Sequence, residues 1–279
     1  MQTKQPTDLS ICDLLSGDLQ LTTPPNIYFE LQKVIQNPSQ SMENIAEIIE
    51  KDPALTLQLL KIVNSAFYGF PFTIVSIKRA VAMIGATELQ NLVLAAVIMD
   101  KFSSLPGGII TMRDFWAKSL RCALIAKELN IHLKYGQNET LFVCGLLHNI
   151  GQLVFYRRIP ELARTVAMLQ QDFTDVEEIS LEETIIGFDH YQTGAALTEL
   201  WKLPEMITQS MKLHSAPNPN SPFHAIATLI KAANQCSRVN KNDFIDITTD
   251  LGLSSEIMAM IMEKSQHQFD VIFKIFYSN

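Results

Sequence analysis

Three histidines, His148, His190 and His214, have the chemistry to bind a divalent cation. Three imidazoles are sufficient for some catalytic zinc sites, where the metal activates a water molecule for hydrolysis. The residue after His148 is Asn149, which offers only a neutral carbonyl oxygen and two N–H donors, whereas an aspartate would bring a full negative charge. The expected chemistry is therefore metal-dependent hydrolysis if anionic ligands lie elsewhere, and binding without hydrolysis if they do not.

Helices must position these side chains, because strand-like alternation of apolar and polar residues is almost absent. From Ser41 the sequence is typical of one capped helix after another, with Ser41, Asp52 and Ser76 as predicted N-caps. Asn64 is expected to end one helix and to hydrogen-bond the loop that follows it. After a break at Gly85, the pair Thr87 and Gln90 has capping-box spacing and predicts an apolar helix that ends near Phe102.

A candidate boundary lies at Leu105-Pro106-Gly107-Gly108, where proline and two glycines allow the chain to change direction. We predict an all-α fold in two packed lobes, a helical bundle over residues 1–106 and a second helical lobe over 107–279. In the second lobe, helices are predicted over about 112–129, 139–156, 160–171, 190–201, 204–213 and 221–239, with others capped by Ser180 and by Ser254 or Ser255.

The amino-acid composition and the net charge exclude some classes of protein function. Of 279 residues, 47% are hydrophobic and only 11 are Gly and 12 Pro, which favours an ordered helical protein. The net charge is −7 without a dense basic block, so we expect no nucleic-acid partner and no membrane-surface partner. A helix–turn–helix over Ile77–Phe102 is disfavoured, because its second helix is apolar and carries no Arg or Lys before Lys101.

The termini and cysteines suggest a simple cellular context. The first residues lack the apolar stretch of a signal peptide, and the longest uncharged apolar run, Leu92–Met99, is too short to span a bilayer. The four cysteines, Cys12, Cys122, Cys144 and Cys236, form no Cys-x-x-Cys pair, so reduced and mostly buried thiols are expected. We expect a cytoplasmic protein without a cofactor.

Linked motifs along the chain resemble the HDOD family, whose domains are degenerate relatives of the HD phosphohydrolases. The matching segments are Leu21–Pro25, Ile48–Leu55, Asn64–Gly69, Ala80–Val81, Ile84–Gly85, Phe115–Trp116, Leu146–Gly151, Gly187–His190, Gly194–Leu197, Trp201–Pro204 and Leu213–Pro217. The resemblance covers about Asp18 to Asn234. It implies an output or scaffolding module in bacterial signalling, with input and output supplied by other proteins.

The resemblance also implies a ligand set that has lost its charges. Aligned with the superfamily, the first histidine position becomes Lys118, the His-Asp pair becomes His148-Asn149, and the final aspartate becomes Asn234, while His190 and His214 remain. An ammonium of Lys118 in the pocket would repel a cation by roughly 4 kcal/mol at an effective dielectric of 20. These six residues are the predicted ligand pocket, with no catalytic residue and no metal.

Two functional hypotheses follow. The first is a non-catalytic HDOD signalling protein that binds a partner protein or a small regulatory ligand through the relic pocket or a groove between lobes. The alternative is a divergent metal-dependent phosphohydrolase of nucleotides that uses His148, His190 and His214 as a zinc site. If neither holds, these histidines are interior residues hydrogen-bonded to backbone or to neighbouring amides.

Other conspicuous residues have simpler interpretations. Arg157 and Arg158 either grip a phosphate or an acidic peptide, or form a solvated helix end. The acidic stretch Asp172 to Glu183, which includes Glu182, is expected to be a solvated surface. Trp116 and Trp201 are predicted core anchors.

Overall fold

The computed structural model describes residues 9–18, 23–37, 39, 41–103, 110–136, 140–173, 176–238, 247 and 250–277. The described residues form helices and no strand, which confirms the all-α fold. In chain order the helices are α1 (Ile11–Leu15), α2 (Asn26–Ile35), α3 (Met42–Glu50), α4 (Pro53–Val63), α5 (Ile77–Ile84), α6 (Ala86–Lys101), α7 (Met112–Leu133), α8 (Leu141–Leu147), α9 (Ile150–Arg158), α10 (Pro160–Asp172), α11 (Glu178–Ile185), α12 (His190–Leu200), α13 (Glu205–Lys212), α14 (His224–Arg238) and α15 (Ser255–Tyr277).

The chain divides into two compact units, each built from separate segments. Unit 1 consists of Met1–Pro24, Lys101–Phe115 and Leu147–Thr228. Unit 2 consists of Pro25–Asp100, Trp116–Leu146 and Leu229–Asn279. The predicted boundary at 105–108 lies outside the described residues, and a division into lobes at residue 106 stays a prediction.

The predicted N-caps at Asp52 and Ser76 are confirmed by hydrogen bonds. Asp52 Oδ1 accepts from the backbone N–H groups of Ala54 (2.9 Å) and Leu55 (3.0 Å) at the start of α4. Ser76 Oγ accepts from the N–H of Arg79 (3.2 Å) at the start of α5. Each cap satisfies backbone donors that a helix leaves open at its first turn.

Asn64 ends α4 as predicted and holds the loop that follows. Its Nδ2 donates to the carbonyl oxygen of Ile74 (2.7 Å), and its Oδ1 accepts from the N–H of the same residue (2.7 Å). One amide side chain therefore satisfies both backbone groups of a buried residue ten positions away.

The predicted start of the apolar helix α6 was wrong in detail. The helix begins at Ala86, so Thr87 lies inside it. Gln90 does not form a capping box but donates from Nε2 to the carbonyl oxygen of Tyr28 (3.1 Å) and is buried. The apolar side chains that argued against DNA recognition are buried in unit 2, including Leu89, Leu92, Val93 and Leu94.

Two further helix predictions need correction. Ser180 does not cap a helix, because α11 begins two residues earlier at Glu178. The continuous helix predicted over 139–156 is two helices, α8 and α9, separated by a turn at His148 and Asn149. The short helices α1 and α2 have no counterpart among the predicted elements.

Predictions about individual side chains agree with the structure. Trp116 and Trp201 are completely buried. All four cysteines are free, with Cys12 exposed and the other three buried. Burial raises the pKa of Cys122 and raises the pKa of Cys236 to about 12, so both thiols stay protonated and unreactive at neutral pH.

Within the described ranges, no single helix combines the length and apolar character needed to cross a membrane. The consecutive helices α5 and α6 meet these limits only when counted together, and they are bent by 118° at Gly85. Most of the α6 side chains are buried inside the protein.

Candidate functional site

His148 and Asn149 belong to unit 1 and are the residues of a tight turn between two consecutive helices. They form the turn between the end of α8 and the start of α9, and Asn149 is the N-cap residue of α9 with φ −98° and ψ 12°. Its side chain makes no capping hydrogen bond. His148 is 0% exposed and Asn149 is 5% exposed.

Two glycines place this turn next to His190. A Cβ on Gly151 would lie 1.9 Å from the carbonyl oxygen of His190 and 2.7 Å from the backbone nitrogen of Gly194. The first turn of α9 and the first turns of α12 are therefore in backbone contact, which a side chain at Gly151 would prevent. This contact gives a structural reason for a glycine at position 151, three residues after His148.

His190 forms a buried pair with Glu182, a residue that the sequence interpretation missed. Glu182 Oε2 accepts from the backbone N–H of His190 (2.9 Å) and lies 2.6 Å from His190 Nδ1. Both side chains are almost fully buried, at 1% and 3% exposed. The expectation that the acidic stretch is solvated was therefore wrong for Glu182, whose carboxylate is a buried partner of His190.

The N-cap of α12 helps to keep this pair in place. Asp189 is the N-cap of α12, and its Oδ1 accepts from the N–H of Gln192 (2.7 Å). Glu182 lies in the last turns of α11, eight residues before His190. The sequence does contain a signal for this pair, since Glu182 and Ile186 fall on one helical face. An acidic run, however, does not indicate which of its carboxylates points into the protein.

Aromatic rings connect the three histidines. The ring of Tyr191 lies 4.0 Å from that of His190 and 4.1 Å from that of His214, measured between centroids. The rings of His148 and His214 are stacked with centroids 5.7 Å apart. The structure thus brings His148, His190 and His214 into one buried cluster in unit 1, with Tyr191 between two of them.

His214 reaches the cluster from the end of a third helix. It follows α13 by two residues, and its N–H donates to the carbonyl oxygen of Met211 (3.0 Å). Met211 also packs near Gly194, where an added Cβ would be 2.9 Å from the methionine sulfur. The packing of α12 against α13 therefore sets the position of His214 relative to Tyr191.

The remaining two predicted pocket residues, Lys118 and Asn234, belong to unit 2. Lys118 lies on α7 and is exposed. Asn234 lies on α14, is 6% exposed, and accepts from Arg238 Nε at its Oδ1 (3.1 Å). Their membership of a common pocket with the histidines stays a prediction.

The side chains of the cluster do not fit a divalent metal of the HD type. Among the described residues, no group of three His, Cys, Asp or Glu side chains is arranged to hold a metal ion. Asn149 supplies no charge, and the carboxylate of Glu182 is turned to the backbone and ring of His190. A two-metal site needs carboxylates to offset four positive charges, so this donor set is unsuited to it.

Glu182 also influences a nearby tyrosine. The pKa of Tyr156 is raised, first because the phenol is largely buried and second because the charges of Glu178 and Glu182 oppose ionisation. Glu178 in turn accepts from Gln152 Nε2 (2.8 Å). The hydrogen bond between Gln152 and Glu178 thus joins α9 to α11.

One relative is an uncharacterised protein of Treponema pallidum (strain Nichols), 28% identical over 238 residues. The match covers 82% of this chain but 44% of that protein, so this chain spans less than half the length of that relative.

Solved structures share the fold. A candidate phosphohydrolase from Shewanella amazonensis SB2B superimposes with a TM-score of 0.76 at 24% identity, covering 94% of this chain and 97% of the other. A candidate signal transduction protein from Marinobacter aquaeolei VT8 gives a TM-score of 0.67 at 21% identity, covering 97% of this chain and 60% of the other. At these identities the likeness concerns the fold alone.

The family model of the HDOD domain matches residues 21–217, which include the complete His148–His190–His214 cluster. This match agrees with the linked motifs and with the helical architecture. The chain belongs to the HDOD family.

Proposed function

We propose that this HDOD chain acts in bacterial signal transduction without catalysing hydrolysis, by binding a partner. The observation that carries the proposal is the neutral amide of Asn149 next to His148, at the position where the resemblance to the HD superfamily implies an anionic aspartate ligand. An amide oxygen cannot offset the charge of a divalent cation in a buried site, where an uncompensated charge costs several kcal/mol.

Burial of the histidine cluster argues against a small ligand bound there, and so favours a protein partner that binds an outer surface. His148, Asn149, His190 and His214 are each at most 5% exposed. A small molecule could contact these side chains only after the packed rings of His148, Tyr191 and His214 had moved apart. The cluster is therefore proposed to rigidify the scaffold, while the partner binds an outer surface.

One observation favours the alternative, a metal-dependent phosphohydrolase. A carboxylate that accepts from Nδ1 of a histidine is the usual outer support of a metal-bound imidazole, because it fixes the ring with Nε2 directed to the metal. The pair of Glu182 and His190 has this arrangement. Elemental analysis of protein purified without added metal discriminates: a stoichiometric metal supports the enzyme, and substoichiometric traces count against it.

Hydrolysis assays test the proposal directly. We expect no release of phosphate or nucleoside monophosphate from nucleotides or cyclic dinucleotides with Mn²⁺ or Mg²⁺ present, and the same background for wild type and His148→Ala. Robust turnover by the wild type that His148→Ala abolishes would refute the non-catalytic assignment.

Partner binding needs its own test. The full chain is used to capture proteins from the native host, and each candidate is purified and titrated against the chain by calorimetry. A saturable one-site isotherm supports the proposal. If no captured protein binds in purified form, the binding function is contradicted even when the hydrolysis assays are negative.

A further inference from the structure

The loop between α4 and α5, residues 64–76, carries a row of aromatic rings in unit 2. The rings of Tyr68 and Phe70 are stacked at an interplanar angle of 3° with centroids 6.1 Å apart, and those of Phe70 and Phe72 at 20° and 5.9 Å. The guanidinium carbon of Arg79, on α5, lies 5.7 Å from the ring centre of Phe72. Four planar groups thus form one series of contacts that ends on a cation.

The loop is fastened at two points, which gives the row of rings a fixed place. The hydroxyl of Tyr68 donates to Glu88 Oε1 (2.9 Å) on α6. Further along the loop, both backbone groups of the buried Ile74 are hydrogen-bonded to the side chain of Asn64 at 2.7 Å. A surface that is already held in one conformation loses little entropy when a partner binds to it.

The end of the row at Arg79 is exposed. Phe72 is 45% exposed, Phe70 is half-buried, and the side chain of Arg79 is exposed. Single exposed apolar residues are common on proteins. An exposed aromatic ring in contact with an arginine is more specific, because these residue types carry much of the binding energy at protein interfaces.

Within the described ranges, the guanidinium of Arg79 contacts an aromatic ring and no carboxylate. Its recorded contact is the ring of Phe72, and it makes no hydrogen bond or ion pair with the described residues. The preceding residue, Lys78, is also exposed but pairs with Glu43. Two neighbouring cations of α5 therefore differ in whether this chain supplies their anion.

The loop offers no substitute anion for Arg79. Residues 64–76 contain no Asp or Glu. Glu88, which holds Tyr68, already accepts from Lys127 Nζ (3.0 Å). An anion for the exposed guanidinium must therefore come from the solvent or from a partner.

The contact between Phe72 and Arg79 selects the chemistry of a partner. A guanidinium is planar and presents its N–H donors as a fork that fits a carboxylate, and stacking on a ring helps to hold that plane. The exposed ring can pack on an apolar side chain. A nucleic acid is a poorer match, because it binds through many lysines and arginines at once and the loop 64–76 contains neither.

We propose that Phe72 and Arg79 form a docking surface for a partner protein, which contributes a segment with an Asp or Glu next to an aromatic or aliphatic residue. The carboxylate pairs with Arg79 and the apolar side chain packs on Phe72. The stacked rings of Tyr68 and Phe70 support Phe72 in this role. This docking surface is a further detail of the partner binding proposed above and rests on it.

The simpler interpretation is a surface ring that only shields the start of α5. The two interpretations differ in their ligand preference. A shielding ring gives no preference for a carboxylate over an amide, whereas the docking surface prefers the carboxylate and loses this preference when Arg79 is neutral.

Peptide titrations of the ¹⁵N-labelled full chain, followed by NMR, test the docking surface. The probe is acetyl-Gly-Asp-Phe-Gly amide, and two matched probes carry Asn in place of Asp or Ala in place of Phe. We expect saturable shifts in residues 66–80 and roughly fivefold tighter binding of the Asp probe than of the Asn probe, which is the scale of an exposed charge pair. In Arg79→Gln the Asp and Asn probes should bind equally, because the charge partner has been removed.

The matched control is Lys78→Gln, since Lys78 is the adjacent exposed cation and is paired with Glu43. This variant should keep the preference for the Asp probe. Phe72→Ala should weaken binding of the Asp probe roughly threefold and remove its advantage over the probe with Ala. Phe72 and Arg79 are exposed, and circular dichroism verifies that each variant is folded.

Four results would overturn the proposal. The first is no saturable binding of the Asp probe by wild type at millimolar concentration. The second is equal affinity of wild type for the Asp and Asn probes. The third is the same loss of preference in Lys78→Gln as in Arg79→Gln, which would mean that the net charge of the region acts and not the fork of Arg79. The fourth is tighter binding of AMP than of the Asp probe at the same residues, which would assign the surface to a nucleotide.

Failure of this surface and failure of partner binding give different results. If a purified host partner binds wild type, Phe72→Ala and Arg79→Gln with equal affinity, the surface is wrong while partner binding stands. If no host protein binds in purified form, partner binding is contradicted, and the peptide titrations still decide whether the surface recognises a carboxylate.

Discussion

Within the histidine cluster, the surroundings of His190 (the His190 corner) and those of His148 (the His148 corner) differ in charge. At the His190 corner, a buried carboxylate remains, and Glu182 accepts from both the backbone and the ring of His190. At the His148 corner, Asn149 is neutral, and within the part of the chain that the structure describes its Oδ1 accepts no hydrogen bond. The His190 corner thus has a carboxylate of the kind that supports a metal-bound histidine, while the His148 corner has no negative charge at Asn149.

The backbone that joins these corners is intact. Gly151 and Gly194 still allow α9 and α12 to approach at van der Waals distance. The comparison teaches that hydrogen bonds and close packing position both corners, although only the His190 corner carries a buried carboxylate. Each of the following changes either breaks this scaffold or exchanges the properties of the two corners.

The largest effect is expected from Gly151→Ala. The new Cβ would lie 1.9 Å from a backbone carbonyl oxygen, which cannot rotate away, so α9 and α12 must separate. We expect a loss of more than about 3 kcal/mol in the free energy of unfolding, measured by urea denaturation.

Gly194→Ala is the matched variant across the same contact. Its Cβ would meet the flexible side chain of Met211 at 2.9 Å and the backbone of Gly151 at 3.2 Å, so a smaller loss of about 1–2 kcal/mol is expected. An equal or larger loss for Gly194→Ala would contradict the close approach described at Gly151.

Glu182→Gln should destabilise the His190 corner by about 1–3 kcal/mol, because an ionised acceptor of two N–H groups is replaced by a neutral amide in a buried position. Thermal and urea denaturation measure the change. The control is Glu183→Gln, the adjacent exposed carboxylate, for which a change within about 0.5 kcal/mol is expected. Similar losses for both variants would mean that Glu182 is not a buried partner of His190.

Asn149→Asp restores a charge at the His148 corner. Without metal, a buried carboxylate lacking a cationic partner should lower stability by about 1–3 kcal/mol at neutral pH. The exposed Asn220→Asp serves as the control. Unchanged stability of Asn149→Asp would indicate a cation near residue 149 that already compensates the charge.

The smallest expected effect concerns Tyr156. Because the charge of Glu182 contributes to its raised pKa, Glu182→Gln should lower that pKa, yet leave it above the ordinary value since burial is the larger cause. A tyrosine whose folded-state pKa is raised stabilises the fold below its unfolded pKa, and this contribution is lost as the pH rises through the folded pKa. In the variant, the alkaline loss of stability should therefore still begin at the unfolded pKa but level off at a lower pH, so that the total loss is smaller. Titration of ¹³C-labelled tyrosine by NMR measures the shift, and an unchanged Tyr156 pKa would place Glu182 too far away to act.

Local sequence rules predicted much of the fold. Asp52 and Ser76 cap their helices as expected, since an N-cap depends only on residues within one turn. The same rules failed at Thr87 and Gln90, where the amide of Gln90 finds a distant backbone acceptor in Tyr28. Tertiary contact overrides a local capping preference whenever the side chain becomes buried.

The sequence alone predicted the histidines of the candidate site but not the carboxylate of Glu182 that contacts His190. The motif around His148 identified the cluster, and burial of His148, His190 and His214 followed from their apolar surroundings. Glu182 was not found, because the choice between inward and outward carboxylates in an acidic run depends on how α11 packs. Arg157 and Arg158 were expected at a solvated helix end, and their attachment to the segment 11–18 required the three-dimensional structure.

The most direct test of the central claim is a calorimetric titration of the metal-free wild-type chain with Mn²⁺, alongside His148→Ala. The neutral amide beside His148 predicts no saturable binding up to millimolar Mn²⁺ and identical traces for the two proteins. Stoichiometric binding at micromolar Mn²⁺ that His148→Ala removes would contradict the account.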